Sequence, residues 1–104
     1  MNDLQIFIEY KISADMVHEY ENHMQKVLDE LRAFGAADVE WFEAADQENL
    51  YVEMFLLPTM ESYELIKGKR RDGADPVFGQ LDKYIVGGLQ KLHCWAFVQR
   101  GSNR

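Results

Sequence analysis

Three stretches of the chain, LQIFIEYKI (residues 4–12), NLYVEMFLL (49–57) and HCWAFVQ (93–99), alternate in character with a period of two, the spacing of a β-strand. In each, both of the faces made by that alternation carry bulky apolar side chains. A strand with one polar face can lie at the surface of a sheet, but a strand apolar on both faces has to be covered twice. Whatever this chain folds into must bury one side of its sheet within itself and find a cover for the other.

The segments between these strands supply one of the two covers. Ser13 is placed to cap a helix in which Val17, Tyr20, Met24, Val27, Leu28 and Leu31 recur at steps of three and four, and Gly35 stops it. VEWFEA (39–44) and the strand at 49–57 read as a hairpin across the polar turn ADQEN. Thr59, after Pro58, caps a short helix over MESYELIKG; Asp75 followed by Pro76 starts another over PVFGQLDKYIV, which Gly87 and Gly88 end. The order strand, helix, strand, strand, helical segment, strand predicts an α+β fold. It is a ferredoxin-like βαββαβ antiparallel sheet with its helices on one face and the first and third strands in the centre. One domain is expected over residues 1–104, with 100–104 a loose tail.

Aliphatic and small side chains suit the close-packed face under the helices. This assigns Leu4, Ile6, Ile8 and Tyr10 to the core with Leu50, Val52, Met54 and Leu56, and with Cys94, Ala96 and Val98. The open face then gathers Phe7, Glu9, Tyr51, Glu53, Phe55, His93, Trp95 and Phe97, with Trp41 or Phe42 from the second strand. Six aromatic rings at ~150 Å² each amount to on the order of 900 Å², more than the few hundred typical of a monomer's largest apolar patch. With the helices used on the other side, a second copy of the same sheet, related by a two-fold axis, is the simplest cover. A homodimer through the open sheet face is the expected assembly.

Charge and cysteine usage narrow the function by exclusion. Eighteen acidic against eleven basic residues give a net charge of −7, and such a surface opposes approach to a phosphate backbone, so nucleic acid is not an expected partner. No window approaches the ~20 apolar residues of a membrane span, and MNDLQ lacks the positive start and apolar run of a secretory signal, so no membrane partner and a cytoplasmic location are expected. The single cysteine, Cys94, can form neither an internal disulfide nor a thiolate metal site, and reads as a reduced core thiol.

The layout from IFIEYKI through LRAFGA, NLYVEMFLLP and DPVF to HCWAFV resembles the dimeric α+β barrel superfamily, in which two ferredoxin-like sheets pair into a barrel. The resemblance implies a small, mostly aromatic pocket in each subunit for a small organic ligand. The superfamily includes antibiotic-biosynthesis-type monooxygenases that work without metal or flavin, heme-degrading monooxygenases, small isomerases and sugar mutarotases, and ligand-sensing domains, so fold alone leaves the activity open. The leading expectation is a cofactor-independent monooxygenase acting on an aromatic or polyketide-like compound, with no cofactor required. A sugar mutarotase or isomerase similar to L-rhamnose mutarotase, and a non-catalytic ligand-binding or interaction domain, stand as alternatives. Heme degradation is disfavoured, because those relatives use an asparagine on the first strand and a histidine from the second helical region. Here the first strand has no asparagine and residues 59–88 hold no histidine.

Two groups of residues are candidates for chemistry. On the open face, Glu9 and Glu53 of the central strands, with His93 beside them, form a possible proton-transfer cluster walled by the ligand-binding candidates Tyr51, Phe55 and Trp95. Carboxylates so enclosed acquire the raised pKa that a general base near neutrality requires. The alternative is an inter-subunit ion pair with Lys11, or two carboxylates kept wet at the barrel mouth. Beneath the helices, Tyr20 and His23 are three apart and face a helix–sheet pocket with Tyr63 or Tyr84. HEYENH is similar to the catalytic helix of L-rhamnose mutarotases, where a tyrosine and a histidine act on the sugar, although the position a full turn after Tyr20 holds Met24. The first cluster requires Glu53 and His93 on one face of the sheet; otherwise the site falls to Tyr20 and His23. His18 and Asn22 lack a third ligand, so no metal site is expected. The basic run KGKRR (67–71) is a solvated helix end or an anion-binding mouth.

Overall fold

The computed structural model of the chain describes residues 3–101. Along it follow β1 (Leu4–Lys11), α1 (Val17–Ala33), β2 (Ala37–Glu43), β3 (Leu50–Leu57), α2 (Met60–Arg70) and β4 (His93–Phe97). Every neighbouring pair of strands is antiparallel and the sheet order is β2-β3-β1-β4, so the first and third strands are central. This is the ferredoxin-like α+β arrangement anticipated above. Of the tail expected at 100–104, residues 102–104 lie outside the described residues.

Local chemistry explains where the elements start and stop. Ser13 does not cap α1 with its side chain; its carbonyl accepts from the Met16 amide at 2.9 Å, closing a 3₁₀ turn over Ala14–Met16 that leads into the helix. Gly35, at φ 96°, ends α1. Thr59 and Ser62 form a reciprocal capping box at the start of α2, Thr59 Oγ1 accepting from the Ser62 amide at 3.0 Å and Ser62 Oγ from the Thr59 amide at 3.2 Å. Asp75 caps as expected, Oδ1 accepting from the Val77 and Phe78 amides. The segment it starts, however, is a 3₁₀ stretch over Phe78–Lys83 rather than an α-helix reaching residue 86. The reason lies at its far end: the Val86 amide donates to the Lys11 carbonyl, and the Ser13 amide donates to the Tyr84 carbonyl. Those bonds tie the segment to the end of β1 and withdraw the backbone groups that a continued helix would use internally.

The phase of β3 differs from expectation. Its register places Leu57, Phe55, Glu53 and Tyr51 opposite Leu4, Ile6, Ile8 and Tyr10 of β1, and residues directly opposite share a face. The core beneath the helices therefore holds Tyr51, Glu53, Phe55 and Leu57, whereas Leu50, Val52, Met54 and Leu56 lie on the open face. β1 sorts as anticipated, and so does β4, with Cys94 opposite Ile8 in the core, and Trp95 opposite Phe7 and His93 opposite Glu9 on the open face; Val98, expected in the core, lies past the end of the strand and is exposed. On β2, Trp41 pairs with Glu53 and Phe42 with Val52, so the first faces the helices and the second does not. β2 also begins earlier than expected, with an irregularity between Ala37 and Glu40 that contains Asp38 at φ 50°. The phase of a strand apolar on both faces is not set by its own hydrophobicity. It is set by the register with its neighbour, which here puts Tyr51 against Tyr20 of α1, ring centroids 4.6 Å apart, in a layer with the fully buried Met24 of α1 and Ile66 of α2.

Candidate functional site

The cluster of Glu9, Glu53 and His93 is not assembled. Glu9 and His93 are cross-strand neighbours on the open face, where His93 stacks on Trp95 with ring centroids 5.8 Å apart, while Glu53 is fully buried on the other side of the sheet. Tyr51 and Phe55 leave the open face with Glu53 and are buried under the helices. Of the residues expected around that cluster, only Trp95 stays with His93.

What the fold does bring together lies beneath the helices. Arg70, at the end of α2, grips Glu53 of β3 through both terminal nitrogens, Nη1 to Oε1 at 2.5 Å and Nη2 to Oε2 at 2.8 Å, and both side chains have no exposed surface. Tyr10 of β1 donates to Glu53 Oε2, and its oxygen lies 2.7 Å from the Tyr20 hydroxyl of α1. Trp41 Nε1 of β2 donates to the Tyr20 oxygen at 2.8 Å. The direction of this chain is fixed by its ends. A carboxylate only accepts and an indole N–H only donates, so Tyr10 commits its one proton to Glu53 and Tyr20 must donate to Tyr10. Four elements thus contribute to one polarised row, Trp41 to Tyr20 to Tyr10 to Glu53, terminated by the Arg70 counter-charge.

Burial decides the protonation of the phenols. Desolvation, reinforced by the nearby Glu53 charge, pushes the Tyr10 and Tyr20 hydroxyls well above the usual phenol range. For Arg70, burial works against the charge, but the bonded Glu53 carboxylate outweighs it and the guanidinium is held charged more firmly than usual. Arg70 also lies over the Phe78 ring at 5.0 Å, and its Nε has no hydrogen-bond partner among the described residues.

The second pair of candidates meets through Tyr84, whose ring centroid lies 6.5 Å from that of Tyr20 and 6.3 Å from that of His23, but the polar groups of the two point apart. Tyr20 is the hub of the row and of an aromatic cluster, with ring centroids 4.6 Å from Tyr51, 5.7 Å from Tyr10 and 5.8 Å from Trp41. His23 is turned to the loop after α2, its Nε2 2.8 Å from the Val77 carbonyl. Tyr63 donates instead to the Cys94 carbonyl at 3.2 Å, and burial pushes its hydroxyl up to about 12. Burial likewise raises the Cys94 thiol. The basic run is not a solvated patch: Arg70 is interior, Lys69 Nζ is 3.6 Å from Asp75 and Arg71 bonds the Leu92 carbonyl at 3.0 Å. His18 meets only Asn22, and no metal-binding group of three or more His, Cys, Asp or Glu side chains occurs among the described residues.

Tyr10, Trp41 and Arg70 were not singled out by sequence reasoning as site residues. One signal existed for Arg70: it continues the stripe Tyr63, Ile66, Arg70, whose steps of three and four put an arginine where a buried side chain belongs. The row reaches the surface at Trp41, in a 220 Å³ cleft lined by Glu21, Trp41, Phe42, Glu43 and Tyr51. Tyr51 donates to Glu21 there at 2.7 Å.

No protein-family model and no curated protein matches the sequence. Solved structures do match. The chain superposes on the cofactor-independent oxygenase SnoaB from Streptomyces nogalater with a TM-score of 0.74 at 12% identity, covering 98% of this chain and 97% of that one. An antibiotic biosynthesis monooxygenase gives 0.71 at 10% identity over 94% and 99% of the two chains, and a conserved protein from Methanosarcina mazei Go1 gives 0.75 at 13% over 96% and 95%. The chain therefore shares the ferredoxin-like α+β fold of these solved structures over almost its whole length. Identities this low speak for the fold alone.

Proposed function

We propose that the protein is a homodimeric, cofactor-independent monooxygenase for an aromatic or polyketide-like compound, with its site at the Trp41 end of the buried row. The observation that carries this reading is the polarised chain from Trp41 to Glu53, set in a fold that solved oxygenases share. In monooxygenation without a cofactor the substrate is its own reductant. An activated methylene loses a proton, the carbanion or enolate reduces dioxygen, one oxygen atom becomes a carbonyl on that carbon and the other leaves as water, R₂CH₂ + O₂ giving R₂C=O + H₂O. The chain is suited to the first step. Tyr20 has no exposed surface, so the reading requires the substrate to open the row at its Trp41 end; a proton then delivered to the Tyr20 oxygen displaces the Tyr20 proton to Tyr10 and the Tyr10 proton to Glu53, so that no phenolate has to form. The negative charge moves from Glu53 to the substrate while Arg70 stays positive nearby.

Oxygen uptake with a panel of hydroxyanthrones and naphthols, in metal-chelated and flavin-free buffer, tests the reading. One dioxygen should be consumed per product, with label from ¹⁸O₂ in the new carbonyl, and Tyr20→Phe should lower kcat by ~100-fold or more. A second reading, a non-catalytic ligand-binding domain, draws support from the saturation of Glu53, whose two oxygens are already engaged by Arg70 and Tyr10. Binding of panel compounds with no oxygen uptake decides for it. The sugar-mutarotase reading loses its support, since His23 is bonded to the Val77 carbonyl and Met24 is buried.

A further inference from the structure

We propose that the cleft between α1, β2 and β3, lined by Glu21, Trp41, Phe42, Glu43 and Tyr51, binds an organic cation, an amine or quaternary ammonium group carried by the ligand. Glu21, Glu43 and the rings of Trp41 and Tyr51 lie on its helix side, the Phe42 side chain belongs to the opposite face of the sheet, and no basic residue lines it. Among the described residues neither Glu21 nor Glu43 has a salt-bridge partner. Both carboxylates converge on the Tyr51 hydroxyl: it donates to Glu21 Oε2, and after burial and that bond the charges of Glu21 and Glu43 are what hold it protonated. The aromatic part is ordered. Trp41 lies near-parallel to Tyr51, ring centroids 6.0 Å apart and planes 22° from each other, and its indole is pinned by the Tyr20 bond. A fixed indole beside unpaired carboxylates combines the two attractions that select an alkylammonium over a neutral group of the same shape. An anionic ligand head is repelled by the same pair.

The inference deepens the reading given above and rests on it for one point, that the reacting part of the ligand reaches the Tyr20 hydroxyl while its cationic part stays in the cleft. The affinity of the cleft for a cation depends on no turnover. Choline is a suitable probe, and 3,3-dimethylbutan-1-ol, in which carbon replaces the nitrogen, is its neutral control. In the Trp95→Phe protein Trp41 is the only tryptophan, so its fluorescence reads the cleft; the indole N–H resonance of Trp41 in the unaltered protein gives a second readout. At constant ionic strength, choline should produce a saturable change that the alcohol does not, and Glu21→Gln and Glu43→Gln should each weaken it by roughly 5-fold or more. Both positions are exposed, so these variants retain the fold. Equal responses to choline and the alcohol, no response beyond that of sodium chloride, or unchanged affinity in both variants would overturn the proposal. If choline binds as described while an oxygen-uptake panel that includes aminoalkyl-bearing hydroxyanthrones stays silent, the cleft stands and the oxygenase reading falls.

Discussion

Glu53 and Arg70 form a charge pair with no exposed surface in a domain of modest size. Such a pair contributes little net stability when intact, because both ions lose their hydration, but removing one partner strands the other. Arg70→Met is expected to cost ~3–5 kcal/mol in urea unfolding, and Glu53→Leu combined with Arg70→Met to recover most of it. A loss below ~1 kcal/mol in the single variant would mean that water reaches Glu53. The phenols add a pH dependence of definite sign. Tyr10, Tyr20, Tyr51 and Tyr63 are all raised in the fold, so their contribution is complete below about pH 10, the usual phenol value, and is lost as pH rises toward the folded values. Tyrosinate absorbance from these four should therefore appear together with loss of near-ultraviolet circular dichroism above about pH 11, rather than near 10 with the fold intact. At this scale the sequence was partly legible. Tyr20 stood out by its helical spacing, whereas Tyr10 read as one more core residue, because nothing local showed that its hydroxyl would meet a carboxylate 43 positions away.

Most elements were legible because their signals are local: Thr59 after Pro58, Asp75 with Pro76, and Gly35 after α1. Two features escaped for a shared reason. The phase of β3 and the 3₁₀ character of residues 78–83 are both settled by distant partners, β1 in one case and the Lys11 carbonyl and Ser13 amide in the other. Glycine substitutions separate local from distant control. A Cβ on Gly79 would lie 2.5 Å from the Gly73 carbonyl oxygen, a backbone atom that cannot swing aside, while one on Gly68 within α2 would meet nothing within 4 Å. Gly79→Ala should destabilise by ~1–3 kcal/mol, and Gly68→Ala should stabilise by about 1 kcal/mol through helix propensity. Thermal melts of the two variants moving in the same direction would contradict this account.

For the whole molecule, the argument for a covered sheet survives with a different set of residues. Tyr51 and Phe55 have left the open face, but Val52, Met54 and Leu56 have replaced them beside Phe7, and Phe42, Trp95 and Phe97 are 45%, 45% and 49% exposed. Phe7, Trp95 and Phe97 surround a wholly apolar hollow, with the Phe7 and Phe97 rings edge to face at 5.4 Å. The helices cannot cover it, since Tyr20 and Arg70 of α1 and α2 bond to side chains on the opposite face. No helix of the described residues is long and apolar enough to cross a membrane. A second copy of the sheet remains the cover that needs no additional molecule, and light scattering should give a mass near twice 12.2 kDa. The reversed phase of β3 sharpens the test. Trp95→Glu places a charge in the expected interface and should yield a folded monomer, because the residue is half exposed within its own subunit. Phe55→Glu puts the charge into the core beneath the helices and should unfold the chain. If both variants stay dimeric, the open face is not the interface; if the parent protein is monomeric at micromolar concentration, the apolar face has some other cover.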